Sequence, residues 1–309
     1  MVRDGEIEVR DGEAGARLDR VILGRLAGVS RALVLDAIER GAVRVNGKAA
    51  TKGLKVRPGD RIRIEQIPER ADVRVAPNPQ LALCVAYEDE ALLAMDKPAG
   101  LPVHPLDFRE TDTLANAMIA RYPALAAIGG QPLMPALLHR IDTATSGLVL
   151  AAKTAPAYAN LRRQFQRQTV RKIYLAVVQG EVTGGGQVES RLIHRTGDQH
   201  HMAVLGDRPP PAGQRPMRAV TAYEPLRSAG GLTLLRVTIF TGVTHQIRCQ
   251  LAAIGHPIVG DDLYGPLGTP PAAERLFLHA AEIAFRHPTD ARDVTLTCPP
   301  PPAFSALLP

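Results

Sequence analysis

Three stretches set the strongest limit on the fold: "LVLAA" at Leu148–Ala152, preceded by a turn over Thr145–Gly147, "KIYLAVVQG" at Lys172–Gly180 and "LTLLRVTIF" at Leu232–Phe240. Each is a short aliphatic run, too brief for a buried helix and bounded by polar or glycine residues, so each reads as a strand. "LALCVAYEDEALLAMDKPAG" adds two more strands, joined at Glu88-Asp89. Helical spacing appears only in patches, at Leu114–Arg121, Tyr158–Gln168 and His245–Ile254. Many strands with few helices between them predict an α+β domain built on a mixed, largely antiparallel sheet.

The chain ahead of this region has a different character. Gly15 to Ile67 holds 12 Lys and Arg against 5 Asp and Glu, while the rest of the chain, with 25 against 26, is close to neutral. Leu18, Val21, Ile22 and Leu26 share one helical face, and Leu33, Val34, Ala37 and Ile38 share another, with Ser30 suited to cap the second helix. "VRVNG" offers a short strand and an Asn46-Gly47 turn, and "RPGDRIRI" alternates Ile62 and Ile64 with arginines. This is a small αα-β unit with basic exposed faces, assigned to residues 15–75. The polar, proline-bearing "PERADVRVAPNPQ" reads as a linker, and the sheet domain as residues 81–309, with a Pro/Gly-rich surface loop at Gly206–Pro216. A second basic stretch, Thr143 to Gly180, has no acidic residue but holds Lys153, Arg162, Arg163, Arg167, Arg171 and Lys172. Such asymmetry points to a polyanionic partner, against the plainer reading of a solvated charged face.

Several chemistries find no support in the motifs. The three cysteines, Cys84, Cys249 and Cys298, form no CxxC pair and fit a reducing compartment, and the charged N-terminus and absence of a long apolar run predict a cytoplasmic protein off the membrane. The nine histidines show no HExxH, and no GxxxxGK[ST] phosphate loop or GxSxG elbow is present. "DTATSG" at Asp142–Gly147 resembles an acid-protease turn, but Ala144 replaces the glycine and no second copy exists. What remains is a lone carboxylate, Asp142, with Arg140 two positions before it. Two further clusters, "RKIYLAVV" and "THQIRCQL", supply Tyr174, His245 and Arg248. An Arg facing a carboxylate favours its ionised, nucleophilic form, and an aromatic ring can stack on a base. Taken singly, each residue is ordinarily structural: a turn Asp, a core-edge Tyr, a surface Arg.

Together the clusters resemble the RluA family of RNA pseudouridine synthases. "HRIDTATSGLVLAAKT", "RKIYLAVVQGEV" and "GVTHQIRCQLAAIGHPIVGDDLYG" are similar to its three signature regions in order and spacing, and "DKPAGLPVHP" and "LFLHAAEIAFRHP" to flanking motifs. "RLDRVI", "VSRA", "VRVNG" and "VRPGDRIRI" resemble the RNA-binding domain first seen in ribosomal protein S-four. The resemblance implies an isomerase that turns uridine into pseudouridine in RNA, expected to be large-subunit ribosomal RNA, with tRNA as the other substrate class. Asp142 matches the nucleophile, Tyr174 the active-site tyrosine that stacks on the base and takes part in proton transfer, and Arg248 the basic partner of the Asp. Arg140 matches the residue that fills the gap left by the flipped base. His139, His245, Gln246 and, in the N-terminal unit, Arg17, Arg20, Ser30, Arg31 and Lys48 are expected to contact RNA. Ile247 and Leu251 would pack near the pocket. The reaction stays within one nucleoside, so neither cofactor nor metal is expected, and the chain should act as a monomer. Val243 departs from the family's usual Arg or Lys, which should weaken one backbone contact but spare activity. A non-catalytic RNA chaperone or ribosome-assembly factor using the same surface is the competing reading.

Overall fold

The computed structural model describes residues 3–195, 198–206, 209–265 and 273–308. The chain divides into two compact units, Met1–Arg74 and Val75–Pro309.

The first unit contains β1 (Arg3–Glu8), α1 (Leu18–Arg25), α2 (Arg31–Glu39), β2 (Val43–Val45), β3 (Lys48–Ala49) and β4 (Arg61–Ile67). The apolar faces expected from the helical spacing are the ones buried: Leu18, Val21 and Ile22 on α1, and Leu33, Val34, Ala37 and Ile38 on α2. The Ser30 hydroxyl accepts the Leu33 N–H and caps α2. Asn46 and Gly47 both have positive φ, 50° and 79°, as a two-residue hairpin turn between twisted strands requires. β4 buries Ile62 and Ile64 and turns Arg61 and Arg63 outwards. β1 has no counterpart among the strands expected from the sequence, because its charges mask the inward alternation of Ile7 and Val9. It pairs antiparallel with β4 and makes the sheet order β1-β4-β2-β3.

The second unit contains β5 (Val85–Glu88), β6 (Leu92–Lys97), α3 (Leu114–Arg121), β7 (Ser146–Ala152), α4 (Ala155–Gln166), β8 (Arg171–Gln179), β9 (Gly186–Arg195), β10 (Asp198–Leu205), β11 (Met217–Ala229), β12 (Leu232–Ile239), α5 (Gln246–Ala253), β13 (Leu278–Arg286), β14 (Asp293–Thr297) and α6 (Ala303–Leu307). One sheet runs β10-β9-β11-β12-β8-β13-β7-β6-β5, with β14 on β13. Among the described residues every pairing in it is antiparallel except β13 with β7. Of the Pro/Gly-rich loop, Asp207 and Arg208 lie outside the described residues, and the rest connects β10 to β11 without regular structure. Among the described residues no helix is long and apolar enough to cross a membrane.

The central strands are apolar throughout because both of their faces are covered. One face of β6 and β7 sends Leu93, Met95, Val149 and Ala151 into a core shared with Tyr174, Val237, Ile247 and Leu251. The other sends Leu92, Ala94, Leu148 and Leu150 against Ala157 and Leu161 of α4. α4 begins where Thr154 accepts the Ala157 N–H, followed by Pro156 in the first turn. Ser146 and Gly147, expected to lie in a turn, already belong to β7. Gly147 has φ 108°, and a Cβ there would stand 2.3 Å from the Ala280 carbonyl oxygen. Only glycine lets β7 and β13 approach so closely just after the turn that carries Asp142.

Candidate active site

Asp142 stands in the polar turn ahead of β7, where its main-chain carbonyl accepts the Thr145 N–H at 3.0 Å. Its side chain is 24% exposed, open enough to be reached and enclosed enough to be oriented. Arg248 Nη1 lies 3.5 Å from Oδ2, and His245 Nε2 lies 4.0 Å from Oδ1. The turn is anchored from below by Lys97, which is fully buried at the end of β6. Its ammonium donates to the carbonyls of Pro98, Leu101 and Thr143 at 2.8, 2.7 and 3.0 Å. Burial pushes the Lys97 amine down to about 7, against the opposing pull of the Asp142 charge.

Arg248 is rigid because another carboxylate holds it. Its Nε and Nη2 donate to the two oxygens of Asp261 at 2.8 Å each, and Nη2 also reaches Asp262 at 3.3 Å. The guanidinium carbon sits 5.4 Å from the centre of the Tyr264 ring. Burial works against the charge of Arg248, but Asp261, Asp142 and Asp262 outweigh it, and its pKa is raised. Asp261 is fixed in turn by the N–H groups of Leu263 and Tyr264, both at 3.0 Å. Its loop fits because Gly260, at φ 75°, passes where a Cβ would meet the Arg275 carbonyl oxygen at 1.9 Å. Such a two-pronged grip on one edge of a guanidinium leaves the remaining nitrogen, Nη1, aimed at Asp142.

Tyr174 lies on β8 between β12 and β13, facing Val237 and Ala280 across the ladders. It is 7% exposed, and burial raises its phenol above the usual value, with the Asp142 charge adding to the effect. At neutral pH it is therefore an aromatic face with a hydrogen-bond donor. Lys172, two residues earlier on the same strand, donates to the Thr241 carbonyl at 2.6 Å, and burial lowers its amine to about 8.

The structure thus brings together Asp142, His245 and Arg248, with Tyr174 electrostatically coupled to the carboxylate. Arg140 is exposed beside them and donates to the Thr244 hydroxyl at 3.4 Å. Others take structural posts. His139 accepts the Leu150 N–H at 3.1 Å and stacks on Phe165 with ring centres 5.1 Å apart. Burial, helped by the Lys172 charge, lowers its pKa to about 3, so it serves here as a neutral hydrogen-bond acceptor. Gln246 is buried and bonded to Thr241, Thr221 and the Val220 carbonyl. His245 is not on a helical turn with Arg248; it precedes α5 with φ 53°. Val243 packs beside Leu192, Met202, Ala219 and Cys249, an apolar setting that accounts for the absence of a cation there. In the first unit, Arg17 and Arg31 both pair with the buried Asp19 at 2.9 Å, whereas Arg20 and Lys48 are exposed. Lys97, Asp261 and Tyr264 were not singled out from the sequence. All three lie inside the signature motifs, but nothing in their spacing distinguishes them from turn residues.

Comparison with known proteins agrees with this fold. The RNA pseudouridylate synthase family profile matches residues 91–253, and the S4 domain profile matches residues 16–62. A Chloroflexus aurantiacus protein named an uncharacterised RNA pseudouridine synthase is 37% identical over 100% of this chain and 97% of its own. The ribosomal large subunit pseudouridine synthase D of Nitrosomonas europaea is 35% identical, covering 98% of this chain and 86% of its own. That of Neisseria meningitidis serogroup A is 34% identical over 96% and 78%. Among solved structures, human RNA pseudouridylate synthase domain containing 1 shares the fold, with a TM-score of 0.58 and 24% identity over 75% of this chain and 90% of that one. These matches cover nearly the whole chain, and the chain belongs to the RNA pseudouridine synthase family of isomerases, with an S4 domain at its N-terminal end.

Proposed function

We propose that this enzyme isomerises uridines of large-subunit ribosomal RNA, with Asp142 as nucleophile, Arg248 as its charge partner and Tyr174 as the stacking surface and proton-transfer group. The observation that carries the catalytic reading is the Asp142 carboxylate, partly open to solvent and 3.5 Å from a guanidinium that Asp261 immobilises. The substrate rests on the names of relatives at 34–35% identity, which are ribosomal large-subunit enzymes.

The reaction breaks the bond between N1 and C1′, turns the base and joins C5 to C1′. The proton lost from C5 balances the one gained at N1, so nothing is consumed. One carboxylate suffices to hold the sugar or base while it turns, whether it attacks C1′, attacks C6 or promotes a glycal. The target uridine must first leave its stack, at a cost of a few kcal/mol. Arg140, exposed beside the site, suits the gap left behind, and an aromatic face offsets part of the cost by stacking, worth about 1–3 kcal/mol per base. Basic residues of the N-terminal unit, Arg20 and Lys48 among them, would bind phosphates and read RNA shape.

Pseudouridine mapping in ribosomal and transfer RNA tests this, using cells that carry the gene, lack it, or carry Asp142→Asn. The expected result is loss of specific pseudouridines from large-subunit RNA in the last two. Normal modification by the Asn variant would sink the mechanism. Loss confined to tRNA would sink the substrate assignment. If the Asn variant alone restored ribosome assembly to a deletion strain, binding rather than catalysis would be the main role.

A further inference from the structure

His245 holds a conformation that the proposed chemistry does not use. It precedes α5 with φ 53° and ψ 21°, in the left-handed region that non-glycine residues seldom enter. Its surroundings impose this. Its carbonyl accepts the Cys249 N–H at 2.9 Å. Its Nδ1 lies 3.0 Å from the Tyr264 hydroxyl, and the two rings meet edge-on with centres 5.7 Å apart.

These contacts favour one position for the imidazole proton. The Tyr264 oxygen already accepts the Met202 N–H, from β10, at 2.8 Å. A phenol has one proton to give, and the acceptor within reach is Nδ1 of His245. A neutral ring that accepts at Nδ1 carries its hydrogen on Nε2, the atom 4.0 Å from Asp142 Oδ1. The charged and titratable groups facing the ring are Asp142 from the turn before β7, Arg248 on α5, Asp261 from the loop after it and His201 on β10. Burial keeps the imidazole neutral, with Arg248 and His201 acting in the same direction and the two carboxylates against it.

We propose that Tyr264 and His245 form a positioning pair, in which the tyrosine hydroxyl fixes the histidine tautomer so that Nε2–H points at the second oxygen of Asp142. The proposal rests on Asp142 being the nucleophile. Each carboxylate oxygen then has its own positive pole: the guanidinium at Oδ2 and the imidazole N–H at Oδ1. At 4.0 Å the second contact is a dipole rather than a hydrogen bond, and its effect is to oppose rotation of the carboxylate. The opposite tautomer would turn a lone pair towards Oδ1 and favour rotation away from the reactive pose.

The test uses Tyr264→Phe, His245→Gln and His245→Ala in the full chain. Nitrogen-15 NMR, with the His245 signals identified by their loss in His245→Gln, should show an unprotonated Nδ1 and a protonated Nε2 in the parent protein. In Tyr264→Phe the tautomers should mix. Its kcat should fall about tenfold with KM little changed, since orientation of the carboxylate suffers while RNA affinity lies elsewhere. His245→Gln keeps an N–H donor and should recover more of kcat than His245→Ala, which also covers the case of a poorly folded Tyr264→Phe. An unchanged spectrum in Tyr264→Phe, or equal kcat in the Gln and Ala variants, would overturn the proposal. If Asp142→Asn stays active, the nucleophile assignment fails instead, whatever these variants do.

Discussion

Replacing Lys97 by Met sets two large terms against each other. The ammonium makes three hydrogen bonds to buried carbonyls, those of Pro98, Leu101 and Thr143. Bonds from a charged donor are worth about 1.5–3 kcal/mol each, so their loss costs several kcal/mol. Against this, burial lowers the amine from 10.5 to about 7. That difference corresponds to about 5 kcal/mol by which folding disfavours the charged form. The two terms nearly cancel at acid pH, where the lysine is protonated folded and unfolded alike and the whole penalty applies. Between about pH 7 and pH 10.5 the folded protein gives up the proton while the unfolded chain keeps it. The unfolded state then binds more protons, and stability rises with pH. The advantage of the parent protein over Lys97→Met should therefore be smallest below pH 7 and grow by up to about 5 kcal/mol towards pH 10.5. Urea unfolding of both proteins at pH 6, 8 and 9.5, followed by circular dichroism, measures it, and other titrating groups cancel in the difference. A difference that stays flat across that range would refute the reasoning. It would mean that three carbonyls solvate the ammonium as well as water does.

Gly147→Ala should destabilise the catalytic unit by about 3 kcal/mol or more and reduce turnover, because the new methyl meets the Ala280 carbonyl oxygen at 2.3 Å; a melting temperature within a degree of the parent's would show that β7 and β13 can separate cheaply. Asp261→Asn removes the charge that grips the buried Arg248 and should cost about 3–5 kcal/mol in thermal or chemical unfolding, with kcat falling as the guanidinium loses its orientation. Arg20→Ala with Lys48→Ala, at two exposed basic positions, should lower RNA affinity and reduce the slope of log K against log salt by roughly 0.7–0.9 for each phosphate no longer neutralised. An unchanged slope would place the electrostatic contact in the catalytic unit.

Residues whose role is local were legible in the sequence. Ser30 caps α2, Asn46-Gly47 turns a hairpin, and the α3 boundaries Leu114–Arg121 match the expected span, because each follows from neighbouring side chains. Asp142, Tyr174 and Arg248 could be singled out only as three clusters taken together, since the fold brings them from residues far apart in the chain. Long-range partners were hidden. Asp261 looks like a turn residue until its pairing with Arg248 is seen, and Lys97 looks like a strand-end cation until its carbonyl cage is seen. His139 and Gln246 likewise have partners that the sequence hides. Their polarity suggested contact with RNA, and the fold uses it to satisfy buried backbone and hydroxyl groups. β1 was missed because alternating charges on an edge strand conceal the two residues, Ile7 and Val9, that are buried there.

The sharing of Arg248 among three carboxylates has a consequence for what can enter the site. One cation meets Asp142, Asp261 and Asp262, so its charge is already spent on carboxylates within the fold. A phosphate group descending towards Asp142 would be repelled, and Arg248 has no spare charge to receive it. The uracil base carries no charge and meets no such barrier. Committed in this way, Arg248 offers the uncharged base an oriented edge and offers a phosphate little.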